Sequence, residues 1–179
     1  QATLGMWTVT LLLKPAIVTA HLLGGMSLLA LLVWLSTEQW LAAQTTTETK
    51  SKIKRQTAPP TPSQSTVHSV PSVRRLAVIA LGVVIVQIAL GGWVSTNYAA
   101  LACPDLPLCR GQVVPPMDFA NAFHVLRELG QTAQGAWLSV EALTAIHWTH
   151  RMFAVLVLLV VGGLAHRLAR VATCRGLAR

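Results

Sequence analysis

Apolar runs alternate with polar segments along this chain. Three runs are long and mostly apolar, at residues 16–35, 76–96 and 143–164, and each has roughly the 20 residues that a helix needs to cross a bilayer. A shorter apolar run at residues 1–15 is interpreted as the end of a preceding helix followed by a loop. The pattern therefore predicts an all-α fold, a polytopic transmembrane helical bundle with three spans in this chain.

The segments between the spans differ in composition. Residues 36–75 are rich in Thr, Ser, Gln, Lys and Pro, which predicts a flexible linker with too little apolar surface to fold alone. Residues 97–142 form a long loop, in which the apolar spacing from Met117 to Leu129 predicts a short amphipathic helix. Residues 165–179 form a basic tail. Each polar segment thus has its own expected structure.

The charge distribution predicts the orientation of the chain. The formal net charge is +8, and the basic residues gather in the linker and the tail, whereas the 97–142 loop is net acidic. By the positive-inside rule, the linker and tail are cytoplasmic and the loop is periplasmic, in a multi-pass protein of the cell inner membrane. The bases are not interleaved with aromatic residues, so no nucleic acid is expected as a partner.

Histidines lie at matching depths in two of the spans. His21 is in the first span, and His147 and His150 are near the outer end of the third. Imidazole is the usual axial ligand of a b-type heme, and ionisable groups in a span indicate function. Gly24, Gly25 and Ala154 follow one turn later and are expected to leave space for a porphyrin. The alternative is that these histidines only hydrogen-bond to a neighbouring helix.

Two further features suggest chemistry without identifying a catalytic residue. Arg151 could pair with a heme propionate or extend to lipid headgroups, and the sequence does not separate the two. Cys103 and Cys109 are predicted to form a disulfide, with free thiols as the alternative, and this pair alone cannot complete a closed zinc site. Sequence motifs of hydrolases and phosphate-binding loops are absent from the printed sequence. The catalytic residues therefore stay unknown.

Three runs together resemble the heme A synthase family, whose members assist cytochrome oxidase assembly. They are Leu4–Val9 leading to Val18–Gly25, Gly91–Tyr98 leading to Cys103–Cys109, and Ile146–Arg151. The resemblance implies the centre of an eight-helix bundle made of two halves. It also implies that His21 is the second heme ligand of the first half and that His150 is the first ligand of the second half, with His147 and Arg151 beside it.

The resemblance also implies a function. Heme O would be the substrate, heme A the product after oxidation of the C8 methyl to a formyl group, and heme b a bound cofactor. Expected partners are the lipid bilayer, the farnesyltransferase that supplies heme O, the oxidase assembly machinery and a second copy in a homo-oligomer. Each site would hold one of its two ligands here, so we expect the 179 residues alone to be inactive. The alternatives are a non-enzymatic b-type heme electron carrier and a structural assembly factor.

Overall fold

The computed structural model describes residues 1–55 and 71–177, with side chains for residues 1–46 and 73–170. The described part is helical and contains no strand. Its elements are α1 (Ala2–Thr10), α2 (Pro15–Arg55), α3 (Pro71–Thr96), the 3₁₀ helix η1 (Ala99–Ala102), α4 (Phe119–Ala122) and α5 (Val140–Leu177).

Three of these helices are long and apolar enough to cross a membrane. The candidate spans are Pro15–Thr46 in α2, Val73–Thr96 in α3 and Val140–Arg170 in α5. Large apolar side chains along them are exposed, with Leu32 at 53% and Leu158 at 71%. An apolar surface of this extent needs lipid or protein around it. The prediction of an all-α, polytopic membrane bundle with three spans is confirmed.

Helix α2 is longer than the sequence predicted. Pro15 occupies its first position, where the missing N–H of proline costs nothing. The helix then continues beyond Leu35 to Arg55, so the prediction of a linker is wrong for residues 36–55. Hydroxyl groups of this stretch donate to carbonyls one turn earlier, as Ser36 does to Leu32 at 2.7 Å and Thr46 to Ala42 at 2.9 Å. Residues 56–70 of the predicted linker lie outside the described residues.

The described residues form two compact units, residues 1–24 with 71–177 and residues 25–55. In the first unit, α3 packs along α5, and η1 and α4 pack on α5. The core of this unit lies where these elements meet and consists of Trp93, Val94, Ala99, Ala122, Ala145 and Ile146. Its small alanines allow the helix backbones to approach closely. The segment from Asn97 to Ser139 is thereby held against the ends of two spans.

The predicted amphipathic helix at Met117–Leu129 is reduced to the four residues of α4. Asp118 caps this turn, its carboxylate accepting from the Asn121 N–H at 3.2 Å. The chain then leaves the helix because Arg127 folds back and donates to the Asn121 and Ala122 carbonyls at 2.7 and 3.1 Å. The prediction of a longer helix is wrong because these polar contacts, invisible in the apolar spacing, compete with helical hydrogen bonds.

Arg127 is the buried cation that fastens this segment to α3. Its side chain is 6% exposed and donates to the Asn97 side-chain oxygen at 2.7 Å. Its guanidinium carbon lies 5.3 Å from the centre of the Trp93 ring, in a cation–π arrangement. Burial lowers the pKa of this arginine from its ordinary value. Close to it in sequence, Glu128 pairs with Lys14 at 2.8 Å and so connects the α1–α2 loop to the same segment.

Candidate functional site

His21 lies on α2 with its ring against the backbone of α1. A Cβ atom added to Gly5 would stand 3.2 Å from Cε1 of His21, so a larger residue there would require the ring to shift. Gln1, which lies one turn before Gly5, donates from its side-chain amide to the His21 carbonyl oxygen at 2.7 Å. The Nδ1 atom of His21 is buried without a hydrogen-bond partner in the described part of the chain. This imidazole is therefore held by its surroundings but keeps a free nitrogen.

His150 lies on α5 in closely similar surroundings. A Cβ atom added to Gly91 of α3 would stand 3.2 Å from Cε1 of His150. One turn earlier on α3, the Gln87 amide nitrogen lies 3.4 Å from the His150 carbonyl oxygen and 3.2 Å from its Nδ1. The other amide atom, Oε1 of Gln87, is buried without a partner among the described residues. Gly91 thus contacts His150 as Gly5 contacts His21, but the Gln87 amide nitrogen also lies 3.4 Å from Nε2 and so contacts the ring as well as the carbonyl, whereas Gln1 contacts only the carbonyl.

A sequence repeat produces these two matching environments. Gln1, Leu4, Gly5 and Trp7 have the same spacing as Gln87, Leu90, Gly91 and Trp93. In each copy the glycine receives the ring of a histidine on the next long helix, and the glutamine contacts that histidine's carbonyl. Sequence reasoning did not pair Gln1 and Gly5 with His21, or Gln87 and Gly91 with His150. The repeated Gln-x-x-Leu-Gly-x-Trp pattern was the signal that could have revealed these contacts.

One glycine expected to make room for a porphyrin has a different role. The side-chain oxygen of Gln1 would lie 2.5 Å from a Cβ atom at Gly24. Gly24 therefore accommodates Gln1, the residue that holds the His21 backbone, and the expectation that it clears space for a flat ligand is wrong. The space that decides the position of the His21 ring is on α1, at Gly5.

His147 and Arg151 contact each other and the cysteine loop, which we define as residues 103–109. Arg151 Nε donates to Nε2 of His147 at 3.1 Å. Its Nη1 donates to the Asp105 and Leu108 carbonyls at 2.6 and 3.0 Å, and its Nη2 to the Cys103 carbonyl at 2.7 Å. These bonds use four of the five guanidinium N–H groups. The structure thus gives Arg151 a role that the sequence did not suggest, as a clamp on the loop.

The cysteine loop is closed by a disulfide, as predicted. Cys103 and Cys109 are bonded, with Cα atoms 4.6 Å apart, and both are almost fully buried. Inside the ring, the Asp105 carboxylate accepts from the Gly111 and Arg110 N–H groups at 2.7 and 2.6 Å. These bonds hold the pKa of Asp105 below its ordinary value, and the bond from Gly111 has the largest effect. The loop is therefore a compact structure fixed at the end of α5.

The donor set fits a heme better than a bare metal ion. In the described part of the chain, no group of three or more His, Cys, Asp or Glu side chains could hold an ion. A porphyrin supplies the equatorial nitrogens itself and needs only axial imidazoles from the protein. The glycine beside each ring, which leaves room for an imidazole against the neighbouring helix, fits this demand. His21 and His150 are therefore the residues that could hold such a group.

Two comparisons with known proteins gave a match. The family model described as COX15-CtaA, cytochrome oxidase assembly protein, matches residues 1–179. The heme A synthase of Shewanella oneidensis is 38% identical over 168 residues, covering 94% of this chain and 45% of that protein. The chain thus spans about half the length of this curated relative. No solved structure matches it.

Proposed function

Since the chain belongs to the COX15-CtaA family of cytochrome oxidase assembly proteins, we propose that it is part of a membrane oxidoreductase of heme A biosynthesis. The substrate would be heme O, whose C8 methyl would be oxidised to a formyl group with water as the source of the oxygen atom and with release of four protons and four electrons to an external acceptor; a bound heme b would supply one-electron transfer. The partners proposed are the farnesyltransferase that supplies heme O and the cytochrome oxidase assembly machinery. The proposed location is the inner membrane, with the cysteine loop on the periplasmic side.

The observation that carries this proposal is the duplicated environment of His21 and His150. The ring of each histidine lies against a glycine, and a glutamine one turn before that glycine contacts the histidine's carbonyl oxygen, which one shared demand on the position of the histidine explains. Axial ligation of heme iron is such a demand, because it requires a fixed ring orientation and an available nitrogen. If the two histidines only packed helices together, nothing would require a glycine and a glutamine at the same spacing beside both of them.

Each residue has a proposed role in this scheme. His21 would hold the heme of the first half and His150 the heme of the second half, and such a heme would supply one-electron transfer. His147 and Arg151 lie one turn apart from each other on α5 and fix the cysteine loop at that end of the helix. We propose that the loop covers the heme edge there and limits the access of water. The one N–H of Arg151 left over is available to a propionate.

Heme analysis of the full-length gene product, the product of the whole reading frame that encodes this chain, tests the proposal. It should be purified from cells that make heme O and analysed as pyridine hemochromes. We expect heme b together with heme O or heme A. His21→Ala and His150→Ala should each lower the heme content, whereas His166→Ala should not, because His166 is an exposed histidine on the same helix as His150.

Each competing function gives a different result in this experiment. A non-enzymatic b-type electron carrier would hold heme b alone, and its histidine variants would lose it. A structural assembly factor would have the same heme content in the His21→Ala and His150→Ala variants as in the unchanged protein. Either result would contradict heme A synthesis at this site.

A further inference from the structure

We propose that a cleft between α2 and α3 binds an isoprenoid quinone, which accepts the electrons released by the proposed reaction. The inference rests on the proposed function, because that function requires an external acceptor. The cleft consists of two adjoining cavities that share Ala16 and Val125 as lining residues. The outer cavity lies beside Lys14, where α2 begins, and the inner cavity lies beside Ala89, between the two helices.

The inner cavity has the size and lining that an apolar chain requires. Its volume is about 480 Å³, which is within the range of small-molecule sites. Ala20 and Leu23 line it from α2, and Val86 and Ala89 line it from α3. Val86 is still 44% exposed, so a hydrocarbon chain in this cavity would cover apolar surface that the described residues leave open.

Small residues determine the space between the two helices. A Cβ atom added to Gly92 would lie 3.1 Å from Cδ2 of Leu22 and 3.3 Å from Oγ1 of Thr19, so α2 and α3 approach closely there. Beside this contact, Ala20 and Ala89 line the inner cavity with no more than a methyl group each. A leucine at either alanine would fill part of the cavity, which makes these two positions suitable for testing it.

The outer cavity, of about 410 Å³, offers polar groups to a quinone ring. Lys14 and Glu128 line it and pair with each other at 2.8 Å, with side chains 39% and 52% exposed. The lysine has two further N–H groups that can donate to a quinone carbonyl, and the carboxylate can pass a proton to the ring. The negative charge of Glu128 opposes a phosphate, so a neutral ring suits this cavity better than a phospholipid headgroup.

The cleft is separate from both histidine environments. The His21 ring lies against α1, and the His150 ring lies against α3 at Gly91. Two residues along a helix correspond to roughly 200° of rotation. Leu23 therefore lies on the side of α2 away from His21, and Trp93 on the side of α3 away from Gly91, and both line the inner cavity. A quinone there would not compete with a heme at either histidine, yet it would lie between the helices that contact both rings.

The chemistry of a quinone matches the proposed oxidation. Conversion of a methyl group to a formyl group with water releases four electrons and four protons. One quinone takes up two electrons and two protons, and its two carbonyls become hydroxyl groups. Two quinones, bound in turn, therefore accept all the electrons and protons that one methyl group releases, and no other oxidant is needed.

Photoaffinity labelling of the full-length gene product tests the site without depending on the reaction. The probe is a quinone with an azide at the end of a ten-carbon chain. It should label peptides that contain residues 16–23 or 85–93, and decylubiquinone should suppress the labelling. Ubiquinone-0, the same ring without the chain, should compete about tenfold less well, because it leaves the inner cavity unfilled. Labelling confined to other peptides, or equal suppression by dioleoylphosphatidylglycerol, would overturn the quinone site.

Reoxidation of the reduced, heme-loaded protein by decylubiquinone tests the electron transfer. Ala89→Leu and Ala20→Leu fill the inner cavity and should raise the half-saturating quinone concentration several-fold. Ala77→Leu, at an exposed position of α3 outside the cleft, should leave it unchanged. Glu128→Gln removes the proton carrier and should slow reoxidation several-fold at saturating quinone, whereas Glu141→Gln, which changes an exposed carboxylate in the first turn of α5, should not.

The outcomes separate this inference from the proposed function. If the full-length gene product holds heme O or heme A but the azide does not label the cleft, the proposed function stands and the quinone site is refuted. If Ala89→Leu and Ala20→Leu both behave as Ala77→Leu does, the inner cavity does not hold the chain, and the inference is likewise refuted. If the cleft is labelled but only heme b is found, the proposed function fails, and the role of the quinone as its electron acceptor fails with it.

Discussion

Arg151 joins one helix to a loop that lies more than 40 residues earlier in the chain. Its guanidinium donates to the carbonyls of Cys103, Asp105 and Leu108 and to the ring of His147. A planar fork can satisfy several acceptors at fixed angles, which the single ammonium of lysine cannot do. The charge is therefore less important here than the shape of the group that carries it.

Replacing this fork should loosen the cysteine loop. Because Cys103 and Cys109 are 1% and 2% exposed, a phosphine reductant reaches the disulfide only when the loop opens. In Arg151→Lys we expect the loop to lose about 2 kcal/mol of stability, from lost charge-assisted hydrogen bonds. Reduction should then be roughly 30-fold faster, since about 1.4 kcal/mol corresponds to a tenfold change. Arg110→Lys, an exposed position just after the loop, is the control, and equal rates in both variants would refute the clamp.

Asp105 makes the same loop sensitive to acid. Its pKa is lowered by the Gly111 and Arg110 N–H groups and by the nearby charge of Arg151, so the folded loop favours the carboxylate. The stabilisation is complete above the ordinary value of 3.8 and is lost as the pH falls through the lower folded value. Phosphine reduction, normalised to an unstructured disulfide peptide, should therefore accelerate below about pH 4. In Asp105→Asn this acceleration should be absent, and its persistence would assign the acid effect to another group.

Sequence reasoning singled out candidate residues more readily than the residues that contact them. His21 and His150 stand out because an imidazole in an apolar run needs an explanation. Gly5 does not stand out, since glycine is common in membrane helices, and Gly91 indicates the close approach of a helix or a flat ligand without indicating His150. Their role depends on which helix lies opposite. The same holds for Arg151, whose acceptors come from a loop that no local pattern relates to α5.

At the scale of elements, the spans were predictable, but the end of α2 and the extent of α4 were not. Continuous apolar runs define α2, α3 and α5 because only a helix satisfies its own backbone in lipid. The composition predicted the end of α2 too early, because Thr and Ser favour loops on average. Here their hydroxyl groups donate hydrogen bonds to carbonyl oxygens of the preceding turn. For α4 the predicted helix was too long instead of too short. Asp118 and Arg127 form hydrogen bonds with backbone groups that a longer helix would have used.

The element that repeats is a pair of helices. A helix bearing glutamine and glycine is followed by a longer helix bearing histidine, as α1 is followed by α2 and α3 by α5. The contacting glutamine and histidine are 20 residues apart in the first pair and 63 in the second. The additional residues of the second pair contain the cysteine loop and α4. This pair keeps its histidine environment while carrying a large insertion, so the environment depends on helix packing and not on the connection.

At the scale of the whole molecule, the charge pattern predicts how the three spans are oriented. Arg167 and Arg170 follow the apolar part of α5, and the segment between α3 and α5, together with the first turn of α5, carries Asp105, Asp118, Glu128 and Glu141. The positive-inside rule places the arginines in the cytoplasm and this segment in the periplasm. Cys174 lies just beyond these arginines and is a natural reporter for the cytoplasmic side.

Labelling with a membrane-impermeant maleimide tests this orientation in spheroplasts. Cys174 should stay unlabelled until the membrane is lysed, because the reagent cannot cross it. A second reporter, His124→Cys in a Cys174→Ser background, places a thiol at an exposed position between α3 and α5 and should be labelled before lysis. Cys103 and Cys109 do not react while their disulfide is intact. Labelling of Cys174 in intact spheroplasts, with protection of the thiol at position 124, would reverse the topology and move the cysteine loop to the cytoplasm.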